Sequence, residues 1–188
     1  MGVGLLGGAV VRVLVVYESM FGNTHVVADH ISEGLRSDHD VLTVSVGEAH
    51  QVLLDDFDLI VLGGPTHVHG LSTSSSRKSA RQMAGKDDSL DLDREASGEG
   101  LREWIKTIEG HRHLSAAFDT RIDASAALTG RASKSISRRL RRYGFRQLVE
   151  PESFLVDKDS HLVPGEAERA TEWGEAISAS LSATSSTP

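Results

Sequence analysis

The chain has 188 residues, of which 39% are hydrophobic and 25% charged, a composition typical of one globular domain. It contains no cysteine, which excludes disulfides, thiolate catalysis and cysteine-ligated metal centres, and we expect a cytoplasmic location. The net charge of -7 argues against general nucleic-acid binding.

The first 11 residues are apolar and rich in glycine. Because no basic segment opens this run and Arg12 interrupts it, we expect neither a membrane span nor a signal peptide. Gly2, Gly4 and Gly7 spell G-x-G-x-x-G, but no strand precedes them, so we reject a dinucleotide site here. We predict a flexible extension over residues 1–11.

Hydrophobic periodicity predicts the remaining elements. Aliphatic runs predict strands over 12–17, 41–46, 57–64 and 116–119, and two pieces of a last strand in the segments FRQLV and SFLV. Helical spacing of apolar residues predicts helices over 25–35, 101–108, 133–143 and 165–181. We expect an irregular insertion over 72–96, with a short helix at 77–84, and a disordered tail over 182–188.

Strands that alternate with helices and are aliphatic throughout indicate a parallel sheet covered on both faces, here a domain spanning 12–181. Such sheets bind ligands beyond the carboxyl ends of their strands. The loops expected to carry function therefore follow Tyr17, Gly63 and Phe118.

The loop after the first strand is rich in uncharged hydrogen-bond donors. Ser19, Asn23 and Thr24 offer side-chain donors, Gly22 permits close approach of the backbone, and the following helix presents free N–H groups to an anion. We expect Thr24 to cap that helix. Because the lysine of a triphosphate loop is missing, a single monophosphate fits best. A simple polar turn remains the alternative.

The stretch VVYESMFGNTHVVADHI resembles the signature of flavodoxins and flavodoxin-like proteins. The later segments FDLIVLGGPTHVHG and AAFDTR resemble the second and third flavin loops of that family, and GRASKSISRRLRRYGF resembles the helix and strand that follow. The signature positions are occupied here by Val15, Val16, Tyr17, Ser19, Gly22, Thr24, Ala28 and Ile31.

The resemblance implies a three-layer α/β sandwich with a five-stranded parallel sheet in the order 2-1-3-4-5. It also implies riboflavin monophosphate (FMN) at the switch point of that sheet. The implied phosphate ligands are Ser19, Phe21, Gly22, Asn23 and Thr24. Pro65, Thr66, His67, Val68, His69 and Gly70 would line one side of the flavin ring, and Phe118, Asp119, Thr120 and Arg121 the other.

Two features depart from the family pattern. Flavodoxins usually stack aromatic rings on the flavin, whereas Trp104 and Trp173 lie on predicted helices, where we expect core roles. His67 and His69 are the alternative ring partners, or else ordinary loop histidines; without a third ligand they predict no metal site. If Arg121 faces the ring, its charge would make the flavin potential less negative. Otherwise we expect Arg121 to pair with a nearby aspartate.

A basic segment spans residues 131–146 and contains no acidic residue. It is either a solvated helix face or a docking patch for an acidic partner or for the phosphates of a nucleotide substrate. Its cations are Arg131, Lys134, Arg138, Arg139, Arg141, Arg142 and Arg146.

Three functions remain open from the sequence. The leading hypothesis is an FMN-binding protein that transfers electrons to a redox partner protein. The second is an FMN-dependent NAD(P)H:quinone-type oxidoreductase, and the third is a regulatory or scaffold domain that has lost flavin affinity.

Overall fold

Seven strands form one sheet within the part of the chain that the structure describes. The structure is a computed structural model, which describes residues 10–67, 70–84, 92–93, 96, 98–108 and 113–185. The strands are β1 (Arg12–Tyr17), β2 (Asp40–Ser45), β3 (Leu59–His67), β4 (Gly70–Leu71), β5 (Leu114–Ile122), β6 (Arg146–Gln147) and β7 (Glu152–Val156).

The strand order confirms the predicted 2-1-3-4-5 topology. β2, β1, β3 and β5 lie side by side and parallel, and β6 and β7 share the fifth place. β6 pairs with β5 at Leu114, whereas β7 pairs with it from Phe118 onward, so the last strand is indeed in two pieces. The short β4 adds an antiparallel pair to the end of β3.

Helices cover both faces of the sheet. They are α1 (Asn23–Arg36), α2 (Ser74–Ala84), α3 (Leu101–Trp104), α4 (Ala126–Thr129), α5 (Ala132–Arg142) and α6 (Glu166–Ser185), with 3-10 turns at Glu48–Gln51 and Leu54–Asp56. No helix among the described residues is both long enough and apolar enough to cross a membrane.

Three helix boundaries differ from the predictions by more than two residues. α3 ends at Trp104 and continues as a turn, although Ile105 and Ile108 are buried as expected. α6 extends to Ser185, into the segment predicted to be disordered, while 186–188 and 1–9 lie outside the described residues. α2 begins at Ser74, because Thr73 and Ser76 cap each other reciprocally through their N–H groups and hydroxyls.

The sheet separates two apolar cores. One contains Trp104 and Ile136 on the side of α3 and α5. The other contains Ile31 and Phe154 on the side of α1 and α6, where the partly exposed Trp173 also packs. Both tryptophans therefore pack against the core, as their helical positions predict.

Gly34 and Gly174 let α1 and α6 pack backbone to backbone. A methyl group on Gly34 would overlap the carbonyl oxygen of Thr171, and one on Gly174 would overlap that of Ile31. Glycine to alanine in an open helix stabilises by up to about 1 kcal/mol. Here overpacking reverses the sign, and we expect Gly34→Ala to lower the free energy of unfolding by about 1–3 kcal/mol in urea titrations.

The control for this substitution is Glu172→Ala on the exposed side of α6, which should change stability by less than about 0.5 kcal/mol. A stabilised Gly34→Ala variant would show that the two helices are farther apart than the structure places them.

Candidate functional site

A cavity of about 600 Å³ lies beyond the carboxyl ends of β1, β3, β5 and β7. This is the position where doubly wound sheets bind ligands. The first loop, the ends of three strands and helix α2 all contribute to its wall. The lining residues are Met20, Phe21, Asn23, Thr24, Pro65, Thr66, His67, Thr73, Ser75, Ser76, Ser79, Ala80, Thr120, Arg121, Ile122, Val156 and Ser160.

The loop after β1 has the properties of an anion site. Gly22 is the N-cap of α1 in the left-handed region, with φ of 83°, and no side chain of the described residues caps the helix. The first turn itself carries no acidic residue, so its N–H groups and positive dipole end favour a negatively charged ligand. The Ser19 hydroxyl is buried and has no hydrogen-bond partner among the described residues, and neither Ser19 nor Gly22 lines the cavity itself. These features fit a phosphate group.

Thr24 and Asn23 connect this loop to its neighbours. The prediction that Thr24 caps α1 is wrong, because Gly22 already turns the chain and Thr24 is buried inside the first helical turn. The Thr24 hydroxyl lies 2.7 Å from that of Thr120, which joins the first loop to the end of β5. The Asn23 amide donates to the carbonyl oxygen of Ser160 over 2.6 Å.

The carboxylate of Asp119 holds helix α5 against the site. It accepts hydrogen bonds from the Ser133 N–H at 2.7 Å and from the Thr66 hydroxyl at 3.1 Å. Thr66 accepts in turn from the Ala132 N–H at 2.8 Å. Burial raises the pKa of Asp119, and the N–H donor of Ser133 opposes that rise. Asp119 thus positions α5 and does not line the cavity.

His67 lies at the end of β3 with its Nε2 buried and without a partner among the described residues. Burial lowers the pKa of this imidazole, the Glu18 carboxylate opposes that effect, and the Arg77 guanidinium adds to it. A neutral ring with a free nitrogen on a cavity wall is suited to one hydrogen bond with a ligand. Val68 and His69 lie outside the described residues, so their roles stay predictions.

Phe118 and Gly70 do not line the cavity. The Phe118 ring packs in the core with its centroid 6.3 Å from those of Phe154 and Trp173, and a methyl group on Gly63 would overlap it. The physical reason is position along the strand, because Phe118 lies on the same face of β5 as the cavity residue Thr120 but two residues before it, where its ring packs in the core. Gly70 lies in β4, paired with His67.

Arg121 lines the cavity but is held by the loop that follows it. Its guanidinium donates to the carbonyl oxygens of Ala124 at 2.6 Å and Ile122 at 3.3 Å. Among the described residues it forms no ion pair with Asp119 or Asp123, which leaves its positive charge at the cavity wall.

Helix α2 supplies the part of the wall that sequence reasoning missed. Its N-terminal side brings hydroxyls to the cavity from the segment predicted as an irregular insertion. The signal in the sequence was the serine-rich run that opens the segment, because such residues favour helix N-termini. The hydroxyls belong to Thr73, Ser75, Ser76 and Ser79.

A buried charge cluster holds α2 in this place. Arg77 donates to Glu103 at 3.0 Å and to the Ser72 hydroxyl at 3.0 Å, and lies 3.9 Å from Glu18. Glu18, in the first loop, also accepts from the Ser72 hydroxyl and from the Leu101 N–H at 2.8 Å. Arg77 and Glu18 are 6% and 4% exposed, so the cluster ties α2 and α3 to the first loop.

These features define an α/β protein of the doubly wound class, with a loop at its switch point whose hydroxyl and backbone donors suit an anion. A family model described as Flavodoxin matches residues 15–175, and the chain belongs to the flavodoxin family.

Solved structures with the same fold support the topology. A flavodoxin from the domain Archaea superposes with a TM-score of 0.59 at 17% identity, covering 90% of this chain and 98% of that one. Flavodoxin 2 from Bacillus cereus gives 0.60 at 21%, covering 89% and 98%. Rubredoxin oxygen:oxidoreductase from Desulfovibrio gigas gives 0.61 at 17%, covering 94% of this chain and 37% of that one. No curated protein matches in sequence comparison.

Proposed function

We propose that this protein binds FMN in the cavity and transfers electrons to a redox partner. The observation that carries the proposal is the first loop, where an uncapped helix N-terminus and the unpartnered Ser19 hydroxyl leave donors for one phosphate. FMN would supply reversible uptake of electrons, while the protein binds and orients it.

The phosphate would be held by Ser19, Asn23, Thr24 and the N–H groups at the start of α1. Pro65, Thr66, His67, Thr120 and Arg121 would surround the rest of the cofactor, together with the predicted Val68 and His69. The Arg121 charge at the wall favours a negatively charged ligand and should make the potential less negative than without it.

The cover of the ring would differ from the stacked aromatics usual in the family. Phe21 is the one benzenoid side chain among the described cavity residues, and it packs against the cluster that includes Ala80 of α2. The remaining cavity residues of α2 are small. We therefore propose that α2 takes the place of an aromatic residue.

Ser19→Ala tests the phosphate loop without weakening the fold. The variant removes a buried hydroxyl that has no partner, so we expect the free energy of unfolding of the flavin-free protein to stay the same or rise. A hydrogen bond to a charged group contributes about 1.5–3 kcal/mol. FMN affinity should therefore fall roughly 10- to 150-fold, measured by quenching of flavin fluorescence.

The control is Ser178→Ala, a buried serine on α6 whose hydroxyl donates to Asp38 at 2.9 Å. It should lose stability and keep FMN affinity. Failure of the unaltered protein to bind FMN at all would overturn the proposal and favour a regulatory or scaffold domain of the same fold.

A reductase of the same fold is the second candidate, because α2 adds hydroxyls to the wall beyond the predicted flavin loops. Steady oxidation of NADH or NADPH with a quinone by the flavin-loaded protein would support it. An active flavin without turnover would support the electron carrier.

A further inference from the structure

Helix α5 carries an exposed stripe of positive charge. Lys134, Arg138, Arg141 and Arg142 are all exposed, and the buried residues Ile136 and Leu140 occupy the opposite side of the helix. At 100° per residue the four cations fall within one arc of about 100°, and they span about 12 Å along the helix axis.

The stripe has no partner within the part of the chain that the structure describes. None of its four cations forms an ion pair or hydrogen bond with any residue in the described ranges. Lys134 and Arg138, and Arg138 and Arg142, are like charges four residues apart, a spacing that destabilises a helix. These cations therefore repel one another, and negative charges on a bound partner would relieve that repulsion.

The helix dipole does not account for the whole stripe. Cations are favourable in the last turn, which explains Arg141 and Arg142. Lys134 lies in the first turn, where the dipole disfavours positive charge, and Arg138 lies in the middle of the helix. The helix dipole therefore does not explain the positions of Lys134 and Arg138.

The stripe is separate from the cavity. α5 begins beside Thr66 and Asp119 at the carboxyl edge of the sheet, and it ends near Arg146, which pairs with the first residue of β5 at the opposite edge. None of the stripe residues lines the cavity. They are thus placed away from the phosphates of a nucleotide bound there.

We propose that this stripe is a docking surface for an acidic protein, one that presents several carboxylates over a short distance. The rest of the chain is strongly acidic, since seven of its 20 lysines and arginines lie within 131–146 while all 27 acids lie elsewhere. A uniformly charged polyanion, such as RNA or an anionic membrane, would meet that repulsive surface as well. A local carboxylate patch would not.

The test uses the full chain and a six-residue poly-glutamate peptide as the probe, whose carboxylates span at most about 20 Å and so represent a local acidic patch. Binding is followed by fluorescence anisotropy at low salt. The stripe variant Arg138→Gln/Arg141→Gln/Arg142→Gln keeps helix-forming side chains. The matched control Arg36→Gln/Lys106→Gln/Lys158→Gln removes the same charge from exposed cations elsewhere. We expect at least tenfold weaker binding for the stripe variant and less than threefold for the control.

A 20-nucleotide RNA and vesicles containing phosphatidylserine serve as the competing polyanions, and both should bind more weakly than the peptide. Equal loss of affinity in the two triple variants, or tighter binding of RNA or vesicles, would overturn the proposal. Circular dichroism of the stripe variant checks that it folds. FMN titration of the same samples keeps this outcome separate from flavin binding, which neither triple variant should change.

Discussion

Arg77→Ala should lower the free energy of unfolding by about 3–5 kcal/mol, because it leaves the Glu18 carboxylate buried without its cation. Glu18 is 4% exposed, and its remaining partners would be the Ser72 hydroxyl and the Leu101 N–H. Glu103 would lose its 3.0 Å bond as well. Urea unfolding followed by circular dichroism measures the change.

The same variant should weaken FMN binding, because Glu18 belongs to the first loop and Arg77 to the helix that closes the cavity. Lys78→Ala, the exposed neighbour, is the control and should change stability by less than about 0.5 kcal/mol. The double variant Glu18→Gln/Arg77→Met removes both charges and should recover much of the lost stability. A double variant no more stable than Arg77→Ala would contradict the coupling.

His67→Leu should reduce FMN affinity roughly 5- to 150-fold, since a ligand group facing the buried Nε2 would lose its partner at a cost of about 1–3 kcal/mol. His67→Gln keeps an amide near the position of Nε2 and should retain most of the affinity. Flavin fluorescence titrations compare the three proteins. Equal affinity for His67→Leu and the unaltered chain would mean that Nε2 does not face the ligand.

The pH dependence of stability gives an independent reading of His67. Burial lowers the pKa of the folded imidazole below its ordinary value of 6.5, so the unfolded chain binds the proton more readily. The contribution of this group is complete above pH 6.5 and is lost as the pH falls below it. Urea titrations from pH 5 to 8 should show that the free energy of unfolding falls on the acid side. In His67→Leu and His67→Gln, the part of this fall that is due to His67 should be missing.

The predicted sheet was correct because its signal is local. Continuous aliphatic runs such as residues 12–17 are typical of strands in a parallel sheet that is covered on both faces. The boundaries of α2 and α3 were less accurate, because capping by Thr73 and the turn after Trp104 depend on their surroundings. Boundaries are set by a few hydrogen bonds rather than by periodicity.

The sequence indicated the part of the cavity wall that one motif contributes, and it did not indicate the part where distant segments meet. The first loop could be found from its own residues. The contact between Glu18 and Arg77 joins residues 59 positions apart, and no pattern in either segment indicates it. Phe118 was placed in the site because its loop was recognised, although it lies two residues before the cavity residue Thr120 and its ring packs in the core.

The divided fifth strand has a consequence for association between chains. An outer strand with a long row of free N–H and C=O groups invites pairing with a second copy. Here β6 has two residues and β7 five, and the segment between them contains Pro151, whose carbonyl oxygen accepts from Arg131 at 2.7 Å. This border of the sheet is therefore too interrupted to template a long added strand, which disfavours edge-to-edge association on this side of the sheet.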